Sequence, residues 1–182
     1  LKRKKIIIIG SSHNEDDQFI IPALSNLMVE FPKMFIIHAP HEPNRREINK
    51  LKSHYMNFGI NTKIIENKNQ LEKLSASVNI LGIVGVLSKL YWKAQIAYIG
   101  GGMSQGIHNV MEPAIARLPV LFGPKYSHAP EADQLLNNGG GFCINNQIEF
   151  EHSISKLFRD SNQLYKASEA SVKVIYSNLG SS

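Results

Sequence analysis

The chain has 182 residues, of which 43% are hydrophobic, and it carries a formal net charge of +5. A chain of this length and composition can close one hydrophobic core, so we predict a single domain that spans residues 1–182. No stretch reaches the roughly 20 apolar residues that a membrane-spanning helix needs, and the first residues lack the cleavage site of a secretory signal. These observations predict a cytoplasmic protein.

The positive charge is concentrated at the start of the chain, where Lys2, Arg3, Lys4 and Lys5 supply most of it. A domain that binds nucleic acid would be expected to spread cationic groups over one face, with aromatic residues between them. We therefore predict no nucleic-acid partner. We interpret the basic start as a solvated lead into the first strand or a linker remnant, and a weak attraction to anionic lipid headgroups stays open.

Short apolar runs alternate with segments of helical periodicity along the whole chain. In chain order we predict a strand at 6–9, a helix at 16–31, a strand at 34–37, a helix at 46–56, a strand at 62–65, a short helix at 70–76, a strand at 78–83, a helix at 86–93, a strand at 96–99, a helix at 113–117, a strand at 120–122, a helix at 131–137, a strand at 142–144, and helices at 148–158 and 164–176. Pro22 is expected near the first turn of its helix or at a kink. This alternation predicts an α/β fold with a Rossmann-like, doubly wound parallel sheet.

Ligands of open parallel sheets bind beyond the carboxyl ends of the strands. The first loop there contains Ser11, Ser12 and His13 just before a predicted helix. Because unpaired N–H groups and the helix dipole attract anions, we interpret these residues as a phosphate site. Capping of the helix by Ser12, Asn14 or Asp16 would explain the same residues equally well.

The loop after the strand at 96–99 contains three glycines and then a polar cluster. Gly101 and Gly102 would let a ligand touch the backbone, and His108 and Asn109 follow them. Glu112 precedes a proline, which predicts a carboxylate at the entrance of the helix, where it can accept hydrogen bonds from ribose hydroxyls. The alternative is an acid that only caps the helix or complements its dipole.

Two other kinds of site are weighed and set aside. The glycines give G-x-G-x-x-x-G, one residue longer than the dinucleotide fingerprint, and no acidic residue follows Glu112 until Glu131. His38, His41 and Glu42 lie close in sequence but lack the spacing of a metal site, so we predict no metal.

The loop between the second strand and the second helix offers a wall for a bound nucleotide. We interpret His41 and Glu42 as contacts to a base or sugar, and Arg45 or Arg46 as cationic contacts to phosphate or carboxylate. The alternative for both arginines is a solvated start of the helix.

These motifs together resemble the C-terminal half of a GT-B glycosyltransferase, and more narrowly the 3-deoxy-D-manno-octulosonic acid (Kdo) transferases of lipopolysaccharide synthesis. The stretches that carry the resemblance are SSHNEDD at 11–17, APHEP at 39–43, GGGMSQGIHNVMEPA at 100–114 and PVLFGPKYSHAPEADQLLNNGGGF at 119–142. The chain departs from the family at Ile107, at Val110-Met111, and at 40–43, where it reads Pro-His-Glu-Pro and offers arginine only at 45 and 46.

The resemblance implies a function. It implies transfer of Kdo from the donor CMP-Kdo to a lipid A precursor, without a metal ion or cofactor, by an enzyme peripherally associated with the cytoplasmic face of the bacterial inner membrane. It also implies that this chain holds the donor, while a separate N-terminal domain supplies the catalytic base, so no catalytic residue is expected here and the isolated chain is expected to be inactive. The predicted donor-binding residues are Ser11, Ser12, His13, His41, Glu42, Arg45, Gly101, Gly102, His108, Asn109 and Glu112.

Two alternatives from other functional classes stay open. Another nucleotide-sugar enzyme of GT-B architecture, such as a UDP-sugar epimerase, would use the same cleft. A non-catalytic module would instead use the basic start of the chain to bind anionic lipid or nucleic acid, with a steep dependence on salt.

Overall fold

The computed structural model describes residues 5–180. Most of the basic start, Lys2 to Lys4, lies outside the described residues, so the alternative of an anionic-ligand module is not addressed by the fold. No helix between residues 5 and 180 combines the length and the apolar character that crossing a membrane would require.

The centre of the fold is a parallel sheet of seven strands. The strands are β1 (Ile6–Ser12), β2 (Phe35–Pro40), β3 (Thr62–Ile65), β4 (Val78–Leu81), β5 (Ile96–Ile99), β6 (Val120–Phe122) and β7 (Gly141–Cys143). Their order across the sheet is β3-β4-β2-β1-β5-β6-β7. The central strand β1 pairs with β2 on one side and with β5 on the other, so that Ile7 lies between Ile36 and Ile96.

Helices cover both faces of this sheet. They are α1 (Asn14–Glu30), α2 (Arg45–Asn57), α3 (Leu87–Tyr91), α4 (Met111–Ile115), α5 (Pro130–Asn138), α6 (Gln147–Arg159) and α7 (Ser161–Leu179), with a short 3-10 helix at Lys68–Lys73. Alternate residues of β1 enter different cores: Ile7 and Ile9 pack with residues of α1, α2 and α6, whereas Ile8 packs with residues of α3, α4, α5 and α7. The predicted doubly wound parallel sheet is confirmed.

Helix α1 begins two residues before its predicted start. It begins at Asn14, because the Asp16 carboxylate accepts the N–H of His13, the residue before the helix, at 2.9 Å. Pro22 consequently lies inside the helix rather than in its first turn. It is partly buried there and leaves the carbonyl of Gln18 without the usual partner in the helix.

The strand order places the candidate residues together. From β1 the chain first moves to β2 and the strands beyond it, and later returns to the other side of β1 with β5. The loops that follow β1, β2 and β5 therefore converge at one point of the carboxyl edge, the switch point at which ligands of such sheets bind.

Candidate functional site

Three histidines meet at this switch point. His13 follows β1, His41 follows β2, and His108 lies in the loop between β5 and α4. One ring nitrogen from each of the three lies within 4.8 Å of the other two. The sequence predicted each of these residues as a ligand contact, and the structure brings them together in what we call the histidine cluster.

Two of the three rings are joined by a hydrogen bond. The Nε2 atoms of His13 and His108 are 2.7 Å apart, and the two ring planes are inclined by only 6°. Atoms in stacked rings cannot approach so closely, so these rings meet edge to edge, with one Nε2–H donating to the other Nε2. The ring of His41 stacks on both, with centroids 4.7 Å from His13 and 4.2 Å from His108.

Burial and neighbouring charge disfavour protonation of His108. Burial and, to a smaller extent, the charges of His41, His13 and His128 together lower the pKa of His108 to about 4. His108 is therefore neutral at pH 7.

Asp16 fixes the loops that carry His13 and His108. Its side chain is fully buried. One carboxylate oxygen accepts the backbone N–H groups of His13 at 2.9 Å and of Gly101 at 2.8 Å, while the other accepts the hydroxyl of Tyr98 at 2.7 Å. Burial raises the pKa of this carboxyl above its ordinary value of 3.8, although the bonds from Gly101, His13 and Tyr98 oppose the shift. Through its bonds to His13 and Gly101, Asp16 joins the β1–α1 loop to the β5–α4 loop.

The glycines of the β5–α4 loop are explained by contacts within the protein. A Cβ atom on Gly100 would lie 2.4 Å from the carbonyl oxygen of Ser11, and one on Gly102 would lie 2.6 Å from the backbone of Gly123. Gly101 has a φ of +93°, and its amide donates to Asp16. The prediction that the Gly101 amide is free to bind phosphate is therefore wrong, and close packing accounts for Gly102 without a ligand.

Ser12 is also engaged by the protein. Its hydroxyl lies 2.8 Å from Nε2 of the fully buried His38, which is also 3.0 Å from the carboxylate of Asp17. The other ring nitrogen of His38 lies 2.7 Å from the hydroxyl of Tyr55. The Ser12 hydroxyl thus takes part in a buried network, which accounts for this side chain without a ligand, and its contact with a phosphate stays a prediction. Ser11 is partly exposed, with an unusual φ of 53°, and stays a candidate.

The start of α4 differs from the prediction. The side-chain oxygen of Asn109 accepts the N–H of Met111 at 2.9 Å, and α4 begins at Met111. Glu112 therefore lies within the first turn, not outside the helix, and Pro113 follows it as the third residue of the helix. Glu112 is exposed and lies close enough to raise the pKa of the buried Tyr91 hydroxyl further, beyond the larger effect of burial.

Two cavities flank the histidine cluster. The first has a volume of about 340 Å³, and its lining includes Ser12, His13, His41, Glu42 and Gln105. The second has a volume of about 260 Å³, and its lining includes His108, Asn109 and His128. Glu112 and Arg45 line neither cavity. Arg45 is an exposed residue in the first turn of α2, which agrees with the alternative of a solvated helix start.

Among residues 5–180, the histidine cluster is the group of side chains that most resembles a metal site. Two nitrogen ligands at about 2.0–2.1 Å from a tetrahedral zinc ion lie about 3.3 Å apart, and their lone pairs converge on the ion. His13 and His108 are 2.7 Å apart and point at each other. The observed arrangement fits a shared proton, and a metal would require both rings to turn. His38 contributes to no such site, because it lies in the buried network.

Sequence reasoning missed the two residues that position the site. Asp16 and His128 were not predicted as site residues. The signal for Asp16 was its place three residues after the residue that precedes α1, a spacing typical of an acid that accepts the N–H at the start of a helix. His128 lies beside Gly106 and donates from Nε2 to the carbonyl of Ile107 at 3.0 Å. Nothing in its sequence context indicated this contact.

Comparison with known proteins identifies relatives of the chain. No protein-family profile matches it. It is 31% identical to the 3-deoxy-D-manno-octulosonic acid transferase of Rickettsia conorii over 167 residues, which make up 90% of this chain and 35% of that protein. It is 28% identical to the enzyme of the same name from Aquifex aeolicus over 156 residues, which make up 84% of this chain and 42% of that protein. The chain thus spans only about two fifths or less of these relatives.

A solved structure shows the same fold. The C-terminal CMP-Kdo binding domain of WaaA from Acinetobacter baumannii superimposes with a TM-score of 0.83, at 18% identity, over 96% of this chain and 90% of that one. At this identity the match establishes the architecture, and the curated relatives establish the ancestry. Over 90% of its length the chain is therefore similar in sequence to part of the 3-deoxy-D-manno-octulosonic acid transferases, and it has the fold of a GT-B C-terminal domain.

Proposed function

We propose that this chain is the CMP-Kdo-binding domain of a glycosyltransferase that moves Kdo from CMP-Kdo to a lipid A precursor. The observation that carries the proposal is the 31% identity to a Kdo transferase across 90% of the chain. The whole enzyme would work at the cytoplasmic face of the bacterial inner membrane, where its acceptor is presented. A domain outside this chain would supply the catalytic base, so the isolated chain should bind donor and transfer nothing.

The geometry supports a nucleotide that lies across the switch point. The histidine cluster presents imidazole edges to both cavities and has room for the phosphate or the sugar carboxylate of the donor. Glu112 is exposed and makes no hydrogen bond from its carboxylate within residues 5–180, so it is free to accept the hydroxyls of a ribose. Groups that bind the phosphate also stabilise the departing CMP as the glycosidic bond breaks.

Glu112→Ala is expected to weaken CMP binding by about 10- to 100-fold, because the variant loses a charged acceptor, and a hydrogen bond to a charged group is worth about 1.5–3 kcal/mol. Isothermal titration of CMP into the wild type and the variant measures the effect. Glu72→Ala removes an exposed acid far from the switch point and should bind as the wild type does. Equal CMP affinity of the wild type and Glu112→Ala would contradict the proposal that Glu112 binds the ribose.

Competition between nucleotides separates the proposed function from the UDP-sugar enzyme. We expect CMP to displace a fluorescent cytidine nucleotide at lower concentration than UDP does. Tighter binding of UDP would favour the epimerase alternative. A chain that ignores both nucleotides and binds anionic vesicles in a salt-dependent way would favour the interaction module.

Removal of metal ions is expected to leave CMP binding unchanged, because the paired rings of His13 and His108 already satisfy each other without an ion. The measurement is a CMP titration before and after dialysis against EDTA. A loss of affinity that returns when zinc is added would contradict the predicted absence of a metal.

A further inference from the structure

The contact between His13 and His108 limits how many protons the two rings can hold. At a separation of 2.7 Å, one Nε2 must donate and the other must accept. The donor ring can take up a further proton on its outer nitrogen, Nδ1, without breaking this bond. A second added proton would leave two N–H groups facing each other, so the pair accepts one positive charge and no more.

The ionisable groups around the histidine cluster do not supply a counter-ion. They are Glu15, Asp16 and Asp17 of α1, Glu42 in the loop before α2, Glu47, Lys50 and His54 of α2, Glu112 of α4, and Lys125, His128 and Glu131 near the start of α5. Asp16 is occupied by backbone N–H groups and Tyr98, Asp17 by His38, and Glu47 by Lys50. Among residues 5–180, no carboxylate lies within ion-pair distance of His13, His41 or His108.

The stacking of His41 further limits the positive charge that the cluster can hold. Its ring lies over both members of the pair, so a charge on any one ring is felt by the other two. His108 is partly buried and has no carboxylate within ion-pair distance, so its imidazole is neutral in the empty site. An anion that enters either cavity would reverse this balance, because it supplies the opposite charge that the protein omits.

We propose that the histidine cluster binds an oxyanion of the ligand together with about one proton, so that donor binding at this site is coupled to proton uptake. This inference rests on the proposed function, and it adds a pH dependence to that function. The proton enters from solvent at Nδ1 of the ring that donates in the His13–His108 pair. The resulting imidazolium provides the charge that holds the phosphate of the nucleotide or the carboxylate of the sugar.

The sign of the pH dependence follows from this coupling. A histidine whose pKa is raised in the complex contributes affinity at low pH and loses that contribution as the pH rises through the bound-state value. In the empty site the pKa of His108 is about 4, so His108 is neutral there near pH 7. The added affinity therefore depends on the proton taken up in the complex, and it is lost at a pH where the complex no longer holds that proton. We expect CMP affinity to fall by up to about 10-fold per pH unit between pH 6.5 and 8.5.

Proton uptake can be counted directly. CMP is titrated into the chain at pH 7.5, in the presence of EDTA, in buffers with small and large enthalpies of ionisation, and the difference in apparent binding enthalpy gives the number of protons. At this pH the nucleotide phosphate is already mostly dianionic, since its second pKa is about 6. We expect about one proton for the wild type and for the exposed His152→Gln control, and close to none for His108→Gln and His13→Gln. No uptake by the wild type, or equal uptake by all variants, would overturn the inference.

A second measurement does not depend on the variants folding. Ring-nitrogen chemical shifts of the wild type, followed by NMR from pH 5 to 8.5, should show one cluster histidine whose midpoint rises when CMP is added. Free Kdo and inorganic phosphate, used as separate probes, distinguish a carboxylate from a phosphate as the source of the oxyanion. Midpoints unchanged by every probe that binds would contradict the inference.

The outcomes separate this inference from the proposed function. If CMP does not bind but inorganic phosphate binds with proton uptake, the proposed function fails and the cluster remains a proton-coupled anion site. If CMP binds without proton uptake, the proposed function stands and the inference fails. Absence of binding by CMP, Kdo and phosphate overturns both.

Discussion

Asp16→Ala is expected to lower the free energy of unfolding by about 3–5 kcal/mol, because it leaves three donors, two of them buried, without their acceptor. For a chain of this size, each kcal/mol corresponds to about 2–4 °C in the melting temperature, so we expect a fall of about 10 °C. Thermal unfolding followed by circular dichroism measures it. CMP affinity should fall as well, since Asp16 sets the relative position of the loops that carry His13 and His108.

Two control variants test whether the lost stability comes from the hydrogen bonds of Asp16. Glu15→Ala removes an exposed acid from the same turn of α1 and should change stability by no more than about 0.5 kcal/mol. Asp16→Asn keeps an oxygen that can accept both backbone N–H groups, and an amide that can face Tyr98, so it should retain most of the stability lost in the alanine variant. If Asp16→Ala had the same melting temperature as the wild type, the three hydrogen bonds would make no net contribution to the free energy of unfolding.

The raised pKa of Asp16 predicts how the asparagine variant depends on pH. Burial disfavours the ionised form, so the pKa of Asp16 is higher in the folded than in the unfolded chain, and the stability that this difference provides at low pH is lost as the pH rises through the folded-state pKa. Asparagine has no proton to lose. The stability of Asp16→Asn relative to the wild type should therefore increase as the pH is raised from about 4 to 7, measured by urea unfolding. A relative stability that falls over this range would contradict the assigned direction.

Gly102→Ala is expected to destabilise the chain by about 3 kcal/mol, because the new methyl group would lie 2.6 Å from the backbone of Gly123 and backbone cannot move aside as a side chain can. The β5–α4 loop would be pushed away from β6, which should also weaken CMP binding. Urea unfolding of the wild type and the variant gives the difference in free energy.

Gly180→Ala and Gly59→Ala are the matched controls for this steric effect. Gly180 has helical dihedral angles, and its nearest atom would be 3.5 Å from a Cβ, so alanine should be tolerated. Gly59 has open space but a φ of +71°, so it isolates the cost of the backbone conformation, about 1 kcal/mol. If Gly102→Ala were no worse than Gly59→Ala, close packing against Gly123 would not be the reason for this glycine.

The fold was predictable from the sequence because its signals are local and repeated. Apolar runs of strand length alternate with helical periodicity, and only a few arrangements of such units bury both faces of a sheet. Ends of elements were less predictable where a side chain decides them. The start of α4 depends on Asn109 accepting the N–H of Met111, and that of α1 on Asp16 accepting the N–H of His13.

The candidate site was predictable in its members but not in their contacts. His13, His41 and His108 were chosen because each follows a strand, and the sheet order brings those strand ends together. The glycines were read as making room for a ligand, whereas they make room for other segments of the chain. Sequence alone does not separate these two reasons, because Gly102 and its partner Gly123 follow different strands and meet only in the fold.

The two neighbouring acids at the start of α1 act in different directions. Asp16 binds the backbone after β5, and Asp17 binds His38 of β2. The first loop is thus anchored to both of its neighbours before any ligand arrives. A ligand that binds beside this loop therefore meets a preorganised surface, and little of its binding free energy is lost to ordering flexible chain.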